Sequence, residues 1–236
     1  MNALSIDCSV SKISIAAKKD NKLVKVTLDV GIKQSEKLLP AIDYVMAEAE
    51  LKANDLDYSA VTIGPGTFTG LRLGLSALKA INLAYNVPVY GIPSLEAYQW
   101  PYRKLTASLK TIVLPLLEEK EDEYFYAHYE SGKLLTEITS APYEEIIKSF
   151  DPEITVLTCG PGALHFTESV NENFPLYKIN CFAPENDCCE SLFQIAENMI
   201  ETKQPPLQDY DGPLYFRKSE AELVYEKNHP ESKENN

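Results

Sequence analysis

The two halves of this 236-residue chain run through the same order of elements. In the first half, apolar strand-like segments occupy Leu4–Asp7, Ile13–Ala17 and Leu23–Leu28. The second and third of these meet at a Lys18–Lys22 turn carrying Asp20 and Asn21. Ser35 reads as the N-cap of a helix with the apolar stripe Leu38, Ile42, Val45 and Ala49, widened by Leu39 and Met46. A strand at Ala60–Ile63 is broken by Gly64-Pro65-Gly66. A helix over about Thr69–Ala84, a strand at Val87–Ile92 and a short helix near Ser94 follow. The second half gives strands at Thr111–Leu117, Glu123–Tyr129 and Leu134–Thr139, a helix at Tyr143–Phe150 and a strand at Ile154–Cys159. Gly160-Pro161-Gly162 comes next, then a short helix from Ala163, a strand at Leu176–Ile179 and a helix at Cys188–Lys203. Each half is therefore βββαβαβα, with Gly-Pro-Gly directly after its fourth strand, although the residues themselves are not closely repeated. Two units are expected, at 1–100 and 101–207, with a C-terminal segment at 208–236. Gln204-Pro205-Pro206 reads as a linker, and the polar residues after about Val224 read as a frayed tail.

Charge separates the halves. The net charge is −13, but residues 1–100 hold 10 basic and 10 acidic side chains, whereas residues 101–207 hold 8 and 18. A neutral unit is easier to desolvate against a partner than a charged one. The acidic balance argues against direct binding of nucleic acid by the surface as a whole. No apolar run is long enough for a membrane-spanning helix, and the start of the chain lacks the basic-then-apolar pattern of a signal peptide. The five cysteines form no Cys-x-x-Cys and no disulfide-framework spacing, so reduced thiols in a cytoplasmic protein are expected. The three histidines are far apart in sequence, so no metal site is expected.

Five stretches bear on function. Gly64-Pro65-Gly66-Thr67-Phe68-Thr69-Gly70-Leu71-Arg72 is a glycine-rich turn between a strand and a helix. Its backbone N–H groups could cradle a phosphate, or it could be a tight turn capped by Thr67 or Thr69. It lacks the Lys-Ser/Thr of a Walker loop and the third glycine of the dinucleotide fingerprint. Asp7-Cys8-Ser9 closes the first strand, where actin-type ATPases place a magnesium-orienting acid. Here the turn Cys8-Ser9-Val10-Ser11 has no glycine, and its side chains would crowd a triphosphate. Asp7, Ser9, Gly64, Gly66 and Thr67 are thus the candidate nucleotide residues, with Asp7 alternatively bonding its own turn. The helix after Gly70 is apolar on two faces, Leu71, Leu75 and Leu78 against Leu73, Ala77, Ile81 and Ala84. One face should meet its own sheet, and the other either the preceding helix or a partner chain. Cys188-Cys189 and the run Glu118, Glu119, Glu121, Asp122, Glu123 read better as a buried helix start and a solvated turn than as redox or metal sites.

The duplicated pattern matches, at the level of fold, the two-lobed α/β architecture of the actin, sugar-kinase and heat-shock ATPase superfamily. A closer resemblance lies in Ser5-Ile6-Asp7-Cys8-Ser9, Gln34-Ser35-Glu36-Lys37-Leu38-Leu39-Pro40, Gly64 to Gly74, Gly91-Ile92-Pro93-Ser94-Leu95-Glu96-Ala97 and Pro213-Leu214-Tyr215-Phe216-Arg217. These segments resemble the TsaB, or YeaZ, family, densely over residues 1–100 and sparsely beyond. The resemblance implies an actin-like, non-catalytic subunit of the bacterial machinery that places threonylcarbamoyl on N6 of an adenine beside the tRNA anticodon. It implies no cofactor of its own and a heterodimer with the paralogue TsaD, which carries the metal and the transfer chemistry. The ATPase TsaE would join the pair, tRNA would be met indirectly, and a homodimer could form when the chain is alone.

The pairing would use the first two helices, about Ser35–Glu50 and Thr69–Ala84, with Leu39, Met46, Leu71, Leu75 and Leu78 as expected interface residues. Two positions depart from the family pattern: Gln34 replaces the usual His, and Glu118-Glu119-Lys120 replaces Asp-Ala-Arg. The competing expectations are an actin-fold ATPase or small-molecule kinase, a zinc metalloprotease, and a homodimer built on the same helix face.

Overall fold

A computed structural model describes residues 1–104, 111–120, 122–181 and 187–216. The first unit holds β1 (Ala3–Asp7), β2 (Lys12–Lys19), β3 (Lys22–Asp29), α1 (Gln34–Glu48), β4 (Tyr58–Thr62), α2 (Phe68–Tyr85), β5 (Val89–Ile92) and α3 (Ser94–Gln99). The second holds β6 (Thr111–Lys120), β7 (Glu123–Tyr126), β8 (Tyr129–Glu130), β9 (Lys133–Leu134), β10 (Thr139–Pro142), α4 (Tyr143–Lys148), β11 (Thr155–Cys159), α5 (Ala163–Asn173), β12 (Lys178–Cys181) and α6 (Cys189–Glu201).

The expected duplication is present in the sheets. The first runs β3-β2-β1-β4-β5 and the main path of the second runs β10-β7-β6-β11-β12. In each, antiparallel strands lead to a central strand, β1 or β6, and parallel strands follow it. Parallel strands need helical crossovers that cover both faces, which is why β1 and β4 are buried along their whole length. The second and third strands expected in the second half, Glu123–Tyr129 and Leu134–Thr139, are instead four shorter ones, β7, β8, β9 and β10. α1 begins one residue before the expected cap, and no side chain caps it, so Ser35 lies inside the helix.

Three apolar layers hold the molecule together. One lies between the first sheet and α1 with α2, built on Leu4, Ile6, Ile15, Leu38, Val45, Leu75 and Leu78. Another lies between the second sheet and α4 with α5. The central layer joins the inner faces of the two sheets through α3 and α6. α6, expected in the second unit, packs against β1, β2, β4 and β5 of the first sheet, while α3 packs against β6 of the second. The closing helices of the two units therefore interlock, and chain order alone does not tell a helix which sheet it will cover. The supposed Gln204–Pro206 linker leads into an ordered strap. The Leu207 N–H donates to the Val89 carbonyl and the Leu214 N–H to the Ile63 carbonyl, at 2.8 and 2.7 Å. The tail beyond Phe216, Arg217 included, lies outside the described residues, as does Glu121.

Candidate functional site: a closed carboxylate turn and an open helix pair

Asp7, at the end of the central strand, is 2% exposed, and both its carboxylate oxygens are occupied within the chain. Oδ1 accepts from the Ser9 backbone N–H at 3.0 Å and from Thr62 Oγ1 at 3.1 Å. Oδ2 accepts from the Tyr98 hydroxyl at 2.6 Å and the Cys188 thiol at 3.4 Å. A buried carboxylate is tolerable only when it is hydrogen-bonded in this way. Burial, then the Asp7 charge, push the Tyr98 phenol and the Cys188 thiol well up, so both stay protonated as donors. Asp7 thereby ties β1 to β4, α3 and α6.

The glycine-rich turn folds onto the same place. The Thr67 N–H donates to the Ser9 carbonyl at 2.8 Å, and Thr67 Oγ1 to the Cys8 carbonyl at 3.4 Å. A Cβ on Gly66, whose φ is +156°, would collide with the Ser9 carbonyl, and one on Gly70 with the Cys8 carbonyl. Gly64 lies equally tight against the Leu214 carbonyl of the strap. These glycines let backbone approach backbone, so the space that a phosphate would need between turn and helix is taken by Cys8 and Ser9. Gln34 completes the closure by donating to the Val10 and Ser11 carbonyls at 2.7 and 3.0 Å. The structure thus brings Asp7, Ser9, Gly64, Gly66 and Thr67 together in one tightly packed turn. Gly66→Ala should lower stability by about 2–3 kcal/mol, since it combines strained backbone with a backbone clash. Chemical denaturation would measure it.

The expected interface residues divide. Leu39 is 61% exposed, but Met46, Leu71, Leu75 and Leu78 are all buried inside the chain. Met46, Leu75 and Leu78 lie in the layer between these helices and the first sheet, and the burial of all four inside the chain corrects their assignment to a partner surface. Leu73, Ala77 and Ile81 are half-buried against the same core, in keeping with the reading that α1 covers part of the second face of α2. What remains open on the outer sides of these two packed helices is Leu39 and Tyr44 of α1 with Ser76, Ala80, Leu83 and Ala84 of α2. Leu83 is 90% exposed. The helical wheel showed two apolar faces without showing which would turn inward.

Beside this face the strap is pinned to α2. Lys79 donates to the carbonyls of Gln208, Asp209 and Asp211. The Arg72 guanidinium lies 3.8 Å from the Phe68 ring centre and donates to the Tyr215 hydroxyl at 2.6 Å. Sequence reasoning did not find this clamp, because its partners are 143 residues apart.

The remaining candidates are structural. Cys8, Cys188 and Cys189 are buried, and burial, followed by nearby carboxylates, pushes their thiols up. A disulfide-exchange reagent at mildly alkaline pH should therefore label Cys181 rapidly, since it alone among the five is partly exposed. The other four should react only on unfolding, which timed thiol titration would show. Lys120 pairs with Glu123 at 3.2 Å around the β6–β7 turn, so that acidic run is a solvated hairpin. His165 bonds the Tyr124 hydroxyl at 2.8 Å, and His128 stacks on Phe150, its burial lowering its pKa. The described residues hold no cluster of three His, Cys, Asp or Glu side chains placed to share a metal, and no helix long and apolar enough to cross a membrane.

The repeated sheet order, the interlocked helices and the internally hydrogen-bonded Asp7 turn define a two-lobed α/β protein of the actin-like class. A TsaD family model, tRNA N6-adenosine threonylcarbamoyltransferase, matches residues 30–141. The TsaB protein of Buchnera aphidicola, named for tRNA threonylcarbamoyladenosine biosynthesis, is 28% identical over 127 residues, 53% of this chain and 59% of that relative. The match to this relative thus spans little more than half of either protein. An uncharacterised protein of Mycobacterium tuberculosis is 26% identical over 92% of each chain. A Pseudomonas aeruginosa structure described as similar to the peptidase YeaZ has the same fold. It is 21% identical with a TM-score of 0.74, covering 92% of this chain and 99% of its own. The chain is similar to proteins of the TsaB (YeaZ) family.

Proposed function

We propose that this protein serves threonylcarbamoyladenosine biosynthesis in tRNA as a non-catalytic subunit that binds TsaD, with the ATPase TsaE joining the pair. The name carried by its curated relatives supports the pathway. The observation that carries the non-catalytic reading is the Asp7 carboxylate, whose oxygens are spent on four internal donors. An ATPase or sugar kinase of this class needs that acid free to orient magnesium. The open outer side of α1 and α2 is the surface offered to TsaD, and it lies on the neutral unit, where desolvation is cheapest. The acidic second unit contributes little direct attraction for tRNA. A cysteine peptidase is disfavoured because the thiols of Cys8, Cys188 and Cys189 are buried and held protonated. The test is to mix purified protein with TsaD and measure the complex mass, and to assay the chain alone for ATP·Mg binding, bound zinc and peptide hydrolysis. A stoichiometric complex with an inactive lone chain is expected. ATP turnover or zinc-dependent cleavage by the lone chain would overturn the reading.

A further inference from the structure

The β2–β3 hairpin and the flank of α6 enclose a groove of about 260 Å³, on the side of the first sheet opposite α1 and α2. Its apolar lining is the buried Phe193 ring and the exposed Leu23 side chain. One wall is a stripe of α6. Glu190, Gln194 and Glu197 stand four and three residues apart, so they share one helix face at one-turn spacing. Lys22 lies on the hairpin wall, and the Asp20-Asn21 turn closes one end.

The polar groups of the stripe are held in set directions. Glu197 Oε1 accepts from Lys18 Nζ, and from the Tyr58 hydroxyl at 3.0 Å. Burial, then the Glu197 charge, push the Tyr58 phenol up, so it stays a donor. Glu190 Oε1 accepts from Lys25 Nζ at 3.1 Å. Gln194 Oε1 accepts from the Trp100 indole N–H at 3.0 Å. An indole N–H only donates, so this bond fixes which end of the Gln194 amide is oxygen and turns the NH2 end away from Trp100. Among the described residues, the second oxygens of Glu190 and Glu197 and the NH2 of Gln194 make no hydrogen bond. Lys22 is loosely held, 3.4 Å from Glu50, with half of its side chain exposed.

The helix face therefore presents acceptor, donor and acceptor in turn, with a lysine across from them and an apolar lining. A simple cation would meet the carboxylates but be repelled by Lys22 and find only donors on Gln194. A simple anion would meet Glu190 and Glu197 with like charge. A molecule with ammonium and carboxylate on one carbon, and an apolar side chain beside them, satisfies all the groups together. We propose that this groove binds a free apolar α-amino acid. Its ammonium would donate to the open oxygens of Glu190 and Glu197, and its carboxylate would accept from Gln194 and Lys22. Its side chain would cover Leu23 and Phe193. Charge-assisted hydrogen bonds of this kind are the strong ones. The groove lies away from the open α1–α2 surface, so the site neither rests on the partner reading nor competes with it.

The experiment is titration of the isotope-labelled full chain with L-leucine, followed by nuclear magnetic resonance. The chain has one tryptophan, so a single indole N–H resonance reports on the bond to Gln194. L-leucine should shift that resonance saturably, with a Kd on the order of 1 mM. N-acetyl-L-leucine, which lacks the ammonium, and L-leucinamide, which lacks the carboxylate, should each bind about tenfold or more weakly. Glycine, without a side chain to cover Leu23 and Phe193, should also bind more weakly. Glu190→Gln and Gln194→Ala should weaken L-leucine by a similar factor, read by calorimetry. Thermal melts would show whether both variants are folded, and if Gln194→Ala melts early, Glu190→Gln alone decides. No saturable shift at tens of millimolar L-leucine, N-acetyl-L-leucine bound as tightly as L-leucine, or unchanged affinity in folded Glu190→Gln would each overturn the proposal. L-leucinamide bound as tightly as L-leucine would also overturn it, since the groove would then read a peptide N-terminus rather than a free amino acid.

Discussion

Replacing Asp7 by alanine should lower stability by about 3–5 kcal/mol, the range seen when one member of a buried charged network is removed. The substitution leaves the Tyr98 hydroxyl, the Thr62 hydroxyl, the Cys188 thiol and the Ser9 N–H facing a gap. Each unsatisfied buried donor costs about 1–3 kcal/mol, partly recovered by relaxation or an entering water. For a chain of this size the melting temperature should fall by roughly 10 °C. Asp7→Asn, which keeps an acceptor, should fall less. The opposite outcome is informative: an acid held open for a metal is a repulsive, poorly satisfied group, and removing it leaves stability unchanged or raised. A neutral or stabilising Asp7→Ala, measured by calorimetry, would end the reading of Asp7 as an internal tie.

The second large effect separates surface from core on the same two helices. Leu39→Asp combined with Leu83→Asp should leave the melting temperature within a degree or two of the natural protein, since both side chains are mostly exposed. The same pair should weaken binding to TsaD by about a hundredfold, as expected when a carboxylate is placed in the apolar centre of an interface. Leu78→Asp should instead fail to fold, because Leu78 is fully buried and an unpaired charge there has no counter-ion. Calorimetric titration against TsaD, with circular dichroism of each variant, reads both quantities. If the folded double variant binds as tightly as the natural chain, the partner surface lies elsewhere.

Much of the architecture was legible before any coordinates. The alternation of short apolar runs with helical stripes gave both units, and the Gly-Pro-Gly turns marked the end of each fourth strand. The strands and helices of the first unit fall within two or three residues of the expected positions. Side-chain period is a local property, imposed by the backbone geometry of each element, and it survives whatever the element packs against. The breaks in the second and third strands of the second unit were missed because the polar stretch Glu130–Glu137 carries too little apolar alternation to distinguish two strands from four short ones.

The site was less legible, for a physical reason. Glycine at 64, 66 and 70 signals close approach, but a phosphate and a carbonyl oxygen both require it. Only the fold shows that the approaching atoms are the carbonyls of Cys8, Ser9 and Leu214. Asp7 looked like the acid of an ATPase because the donors that occupy it are 55, 91 and 181 residues away, and no periodicity links positions so distant. The doubly apolar α2 was visible at once, yet which of its faces turned to the sheet depended on where β1, β4 and α1 stood around it. The sequence by itself determined the repeated order of elements and the residues able to be buried. Tertiary structure decided which of those residues are buried, and so which are left to meet another molecule. Burial is a relation between segments far apart in the chain, fixed only when the sheets and the interlocked helices close around a common core.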